Sequence, residues 1–387
     1  MKYVRPLLAA VVLIVVTLLM AAPVAASSLL GKLAPIAQAQ GTLIPDQYIV
    51  VFKSGTSTKA SMIARSNGVA ATFIYDAVFN GFAARLNPSQ LGAMRRNPNV
   101  AYVEQDQVIT SDTTQSSATW GLDRIDQRNL PLSGTYTYTK NGTGVYAYII
   151  DTGIQTSHSD FGGRAAVAYD ATGGNGQDCN GHGTHVAGTV GGAKYGVAKG
   201  VQLRAVRVLN CSGSGSNSGV IAGVDWVRQH HTNPAVANMS LGGGYSSALN
   251  SAVTSMINSG VFLAVAAGNS NANACNYSPS SASGTLTVAA ADKTDTKASF
   301  SNYGACVDVY APGVSITSDW LNGGTNTISG TSMASPHAAG VAALYKANFG
   351  NVASSTIVSW LINNATSSAI KSNPSGTPNK LLYKSSL

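Results

Sequence analysis

Apolar residues fall in short runs along most of this chain, and the runs alternate with longer stretches in which they recur at helical spacing. From residue 120 onward, residues 145–150, 201–208, 235–239 and 261–267 are apolar runs rich in Val and Ala, the pattern of strands covered on both faces. Between them, residues 218–231 and 247–259 read as helices, the second stopped by Gly260. This alternation predicts a mostly parallel α/β sheet, and such sheets bind ligands beyond the carboxyl ends of their strands.

The first part of the chain has a different rhythm. Residues 48–52 look like a strand and 58–67 like a helix ended by Gly68, and 72–77 and 81–86 like two further strands. Asn87 and Pro88 then open a second helix as cap and first-turn proline, before a last strand at 100–103. The order βαββαβ is that of a ferredoxin-like unit. The polar stretch 111–117 that follows has no periodicity and reads as a cleavable linker.

At the N-terminus, Lys2 and Arg5 precede an apolar run at 7–22, then Pro23 and the small residues Val24, Ala25 and Ala26. This predicts a secretory signal peptide over 1–26, too short for a spanning helix, and hence an exported protein with no membrane anchor after cleavage. Four cysteines in an exported chain of 387 residues, Cys179, Cys211, Cys275 and Cys306, suggest two disulfides, with three pairings open. They lack the Cys-x-x-Cys spacing of a zinc or redox site. The net charge of +8 comes from scattered basic residues with no patch, which argues against nucleic acid as a partner.

Four polar residues stand where a parallel sheet places chemistry. Asp151 ends the run at 145–150, in Asp151-Thr152-Gly153. His182 lies between glycines in Asn180-Gly181-His182-Gly183-Thr184-His185, ahead of a helix of small residues, and Asn269 closes Ala266-Ala267-Gly268-Asn269. Ser332 sits in Gly330-Thr331-Ser332-Met333-Ala334-Ser335-Pro336-His337, at the start of a helix, where unpaired N–H groups and the positive helix end face outward. Taken singly, the serine is a cap, the aspartate and asparagine are turn residues, and His182, His185 and Asp178 are a rival metal set. A zinc hydrolase needs His-Glu-x-x-His, and Gly183 stands where its glutamate would be. Together the four residues form a nucleophile, a base, a carboxylate to orient it, and an amide for an oxyanion.

Asp151-Thr152-Gly153, His182-Gly183-Thr184-His185-Val186-Ala187-Gly188 and the segment around Ser332 resemble the three signatures of subtilisin-like serine proteases, in the order Asp, His, Ser. The likeness covers residues 113–387. Trp120-Gly121-Leu122-Asp123 and Ala237-Asn238-Met239-Ser240 are similar to the proteinase K branch, above all to aqualysin-type bacterial enzymes. The resemblance implies a three-layer subtilisin-like fold and a propeptide over 27–112, with an inhibitor and chaperone unit at 46–108. It also implies a secreted, monomeric, autoprocessed endopeptidase of broad specificity over 113–387, acting on proteins. A catalytically inactive subtilase-fold binding module is the alternative.

Further implications come from the same resemblance. Cys179 would pair with Cys211 and Cys275 with Cys306, each closing a loop worth roughly 3 to 4 kcal/mol. Ser212, Gly213, Ser214 and Gly215 would form one wall of a substrate groove. Ser240, Leu241, Gly242 and Gly243, with Ala266, Ala267 and Gly268, would line the pocket beside the cut bond. The walls carry no charge, which implies a lean toward apolar or aromatic residues before the cut. The low side-chain bulk of the two loops suits an extended peptide that adds as a strand. Structural Ca2+ is expected at Asp308, in a strand at 307–310, with backbone oxygens of Ser283 and Thr285. A second site is expected around Asp123, Asp126 and Gln127, weakened because Ser133 and Thr135 replace better ligands.

Overall fold

The computed structural model describes residues 33–37, 43–107 and 113–387. The expected signal peptide lies outside them. The chain divides into two compact units, at Met1–Val108 and Ile109–Leu387.

In the first unit, strands Leu43–Phe52, Ala71–Tyr75, Gly81–Arg85 and Val100–Gln107 pair antiparallel, with helices Ala60–Ser66 and Pro88–Arg96 between them in the expected order. The sequence signal at the second helix holds in detail. The Asn87 side chain accepts from the Gln90 N–H while the Gln90 side chain accepts from the Asn87 N–H, a reciprocal cap. An unanticipated short strand, Ile36–Ala37, adds parallel to Val100–Gln107. Met94 of the second helix packs with Val50, Phe82 and Val103 of the strands in one fully buried cluster.

The second unit is built on a sheet of nine strands. Its order, from one edge, is Thr366–Ser367, Lys380–Leu381, Val309–Pro312, Leu286–Ala291, Phe262–Ala266, Ala235–Met239, Tyr146–Asp151, Gln202–Arg207 and Ala165–Asp170. Every adjacent pair is parallel except the first. Apolar side chains alternate between two cores: Ile149, Val236, Ala264 and Val288 join Val186, Val341 and Leu344 on one face, while Ile150, Ala237, Leu263 and Val265 join Val224, Val253 and Met256 on the other. Helices on both faces explain why the strands read as apolar runs rather than alternating ones.

Two corrections concern the edges. The polar stretch read as a linker at 111–117 is structured where it is described: Thr113–Ser116 pairs antiparallel with Thr135–Tyr138, a small ribbon in which only Tyr136 is fully buried and Thr113–Ser116 leaves no apolar signal. Asp308 directly precedes strand Val309–Pro312 instead of lying within it. Both implied disulfides are present, Cys179–Cys211 and Cys275–Cys306.

Candidate active site

Each of the four polar residues stands at an element end on the carboxyl side of the sheet. Asp151 is the last residue of strand Tyr146–Asp151 and His182 the first of helix His182–Gly191. Asn269 follows strand Phe262–Ala266, and Ser332 is in the first turn of helix Thr331–Phe349 behind the cap residue Gly330.

Asp151 is fully buried, and His182 Nδ1 donates to its Oδ1 at 2.7 Å. The Thr152 N–H donates to the same oxygen at 2.7 Å. Burial alone would lower the His182 pKa, but the charge of Asp151 and its hydrogen bond outweigh burial, with Asp178 adding to them, so the value is raised above the ordinary one. With Nδ1 committed to Asp151, the tautomer leaves Nε2 free to accept a proton. Glycine is required on both sides. Gly181 has φ +106°, and a Cβ there would lie 2.3 Å from Trp320, while a Cβ on Gly183 would lie 2.1 Å from the Gly153 carbonyl.

Ser332 Oγ donates to the Ser240 carbonyl at 3.1 Å, and Ser240 Oγ donates to the Ser332 carbonyl at 2.7 Å. The second bond has a cause in the sequence. Pro336, four residues on, has no N–H to offer the Ser332 carbonyl, and the Ser240 hydroxyl fills that place. Asn269 Oδ1 accepts from the Thr331 N–H at 2.8 Å and the Thr331 hydroxyl at 2.9 Å. Its oxygen is thereby occupied, leaving Nδ2 as the free end of a side chain that lines a cavity of about 220 Å³ together with Ser332, Ala266, Ala267 and Gly268. The Ser332 N–H, in the first helical turn, has no acceptor within the helix.

Beside this cavity runs a groove of about 530 Å³ lined by His182, Ser212, Gly213, Ser214 and Gly215, and the two share Leu241, Gly242 and Gly243. The first wall is not a loose loop. Asn210 Oδ1 accepts from the N–H groups of Ser212 and Ser214, and the Asn210 N–H donates to the Ser214 carbonyl. The second wall is braced from outside, where Gly243–Gly244 pairs with Tyr277–Ser278.

The expected calcium ligands behave differently at the two places. Burial pushes Asp308 up to about 6, and the Thr287 N–H, which donates to Oδ2 at 2.7 Å, only partly offsets it. A carboxylate so poorly served fits a cation. Asp123, by contrast, accepts from the N–H and hydroxyl of Ser133 and from the Gly134 N–H. Asp126 pairs with Lys384 at 2.9 Å and accepts from the Thr137 N–H, and Gln127 Oε1 accepts from the Ser133 N–H. Protein donors already use these oxygens and an ammonium supplies the positive charge, so the second set does not fit a cation.

Sequence reasoning passed over two residues here. Asp178 was weighed only as a metal ligand, yet it is buried and accepts from Thr152, Asn180, Gly181 and Thr184. Thr152 stands in the Asp151-Thr152-Gly153 signature with no role of its own assigned from sequence. The signal available was an acidic residue four positions before His182, in the loop that leads to this candidate base.

Comparison with known proteins gives the same family throughout. A model of the subtilase family matches residues 142–381, and a model of the peptidase inhibitor I9 family matches residues 47–112. The chain is 50% identical over 382 residues to an extracellular serine proteinase of Thermus sp. (strain Rt41A), covering 92% of each. It is 50% identical over 361 residues to alkaline serine exoprotease A of Vibrio alginolyticus, covering 88% of this chain and 67% of the relative. Among solved structures, a cold adapted subtilisin-like serine proteinase aligns with a TM-score of 0.68 and 55% identity over 70% of this chain and 99% of the other. With matched signatures on a matched fold, the chain belongs to the subtilase family of serine peptidases, and it carries an I9 propeptide unit ahead of its peptidase domain.

Proposed function

We propose that the protein is a secreted serine endopeptidase of broad specificity, acting through Ser332, His182 and Asp151. The Asp151–His182 pair, with His182 on the groove that adjoins the cavity lined by Ser332 and Asn269, is the observation that carries this reading. His182 Nε2 takes the proton of Ser332 Oγ as that oxygen attacks a peptide carbonyl, then returns it to the leaving amine as the acyl-enzyme forms. Water repeats the sequence to release the acid. Asp151 holds the ring and stabilises its charged form, while the Ser332 N–H and Asn269 Nδ2 meet the oxyanion.

Ser212 to Gly215 and Ser240 to Gly243 serve as the rails on which an extended peptide lies, and Ala266, Ala267 and Gly268 floor the pocket before the cut. Its uncharged lining favours apolar or aromatic side chains. The chain divides into a signal peptide at 1–26, a propeptide at 27–112 and the peptidase at 113–387, the propeptide being cut by the enzyme itself and acting until then as chaperone and inhibitor. Extracellular relatives favour export. Structural calcium is common among subtilases, and here Asp308 with the carbonyls of Ser283 and Thr285 would hold one ion. The enzyme works as a monomer, with no nucleic-acid partner.

A fluorophosphonate probe tests the assignment against an inactive binding module. Labelling at Ser332 is expected in the wild type, and the Ser332→Ala chain should be unlabelled, uncleaved at its propeptide and without casein hydrolysis. Wild-type hydrolysis by that variant would sink the assignment.

A further inference from the structure

A second acid, Asp178, bonds the segments that flank the base and its carboxylate partner. Asp178 is 8% exposed. Its Oδ1 accepts from the Thr152 hydroxyl at 2.9 Å and from the N–H groups of Asn180 and Gly181 at 2.9 and 3.0 Å. Its Oδ2 accepts from the N–H and hydroxyl of Thr184 at 2.9 and 2.6 Å. Thr152 Oγ1 in turn accepts from the Gly183 N–H at 2.9 Å.

Thr152 is the residue after Asp151, and Gly183 and Thr184 are the two after His182. One hydroxyl and one carboxylate therefore join the backbone directly behind the carboxylate to the backbone directly behind the base. A capping role accounts for part of this. The helix His182–Gly191 begins at Gly181, which has no side chain to cap it, and the bonds from Thr184 to Oδ2 satisfy that end. Capping does not call for the Oδ1 bond to Thr152, which reaches across to another element, nor for Thr152 to take up the Gly183 N–H.

We propose that Asp178 and Thr152 form a clamp that positions His182 against Asp151, acting on the reaction through the geometry of that pair. The inference rests on the triad reading above. Because the Ser332 proton must pass to a ring held in one orientation, loosening the clamp lowers turnover and leaves peptide binding along the groove intact. The negative charge of Asp178 has a second effect. It adds to the stabilisation of protonated His182, so its removal moves the acid limb of the rate profile toward lower pH.

The test uses mature enzyme secreted from the full chain, with functional sites counted by fluorophosphonate titration so that only folded sites enter kcat. Thr152→Val, which keeps the shape and removes the hydroxyl, is expected to lower kcat about 10- to 100-fold with KM within about twofold. Thr152→Ser should restore it. In Asp178→Asn the acid limb of kcat/KM should move to lower pH, and this variant carries the test if Thr152→Val is not processed. Wild-type kcat in fully titrating Thr152→Val overturns the clamp, as does an equal loss in Thr152→Ser or an unmoved acid limb in Asp178→Asn. A wild type that the probe does not label sinks the triad reading instead, so the two failures are distinct.

Discussion

At the scale of single residues, the site depends on donors whose other ends are already tied. Asn269 cannot swing, because Thr331 holds its oxygen from two atoms, and its Nδ2 is thus aimed before any substrate arrives. Asn269→Ala should lower kcat about 10²- to 10³-fold with little change in KM, a range known from subtilisin itself and so carried over from a relative. Steady-state kinetics on a small peptide amide would check it, and a KM effect alone would remove the residue from oxyanion binding. The four principal residues were legible because each is the polar end of an apolar run or a small-residue helix. Asp178 and Thr152 were not, because a buried acid and a turn acid look alike in sequence, and only the collected donors tell them apart.

At the scale of elements, the far end of the helix that carries His182 meets another acid. Asp319, at the end of strand Ile316–Asp319, is fully buried beside Asp160. Its Oδ2 lies 2.6 Å from where a Cβ on Gly188 would be and 2.9 Å from one on Gly192. The groups facing it are Asp160, His158, Arg164 and Lys194. Burial and Asp160 push its pKa up to about 8 against the partial relief of Arg164 and Lys194. A raised folded value means the folded state holds the proton more tightly. The resulting stability is complete below the unfolded value of about 4 and is lost as pH rises toward about 8. In enzyme blocked by a serine-directed inhibitor, Asp319→Asn should therefore gain Tm over the wild type progressively across that window and hold the gain above it. A pH-independent difference would contradict this. Strands Tyr146–Asp151, Gln202–Arg207, Ala235–Met239 and Phe262–Ala266 and helices Asn217–His230 and Ser247–Asn258 were readable to within a residue or two, because covered strands and amphipathic helices differ in period, while the partly exposed edge strand Ala165–Asp170 was not. Leu286–Ala291, though fully buried, was passed over in the sequence, and Thr113–Ser116 and Thr366–Ser367 are too short and too wet to announce themselves.

At the scale of the whole molecule, stability is distributed among cross-links that join distant segments. Each disulfide closes a loop of about thirty residues, worth roughly 3 to 4 kcal/mol in the chain-entropy view. Lys384 ties the last residues of the chain to Asp126 near the start of the second unit. A cation at Asp308 would act similarly beside strands Leu286–Ala291 and Val309–Pro312. Chelator should accordingly lower the Tm of the inhibited enzyme, and Asp308→Asn should remove most of that response while Asp126→Asn leaves it in place. An unchanged Tm on chelation would overturn the calcium assignment.

The sheet order also governs timing. Ser332 follows all but the last two strands of the sheet in the chain, and its neighbours in space, Ser240 and Asn269, come from strands that can pair only after long crossovers have closed. Parallel pairings of this kind form slowly. On the triad reading proposed above, a chain still emerging or half assembled has its base and carboxylate before its nucleophile, so the capacity to cut is withheld until the structure best able to resist cutting has formed.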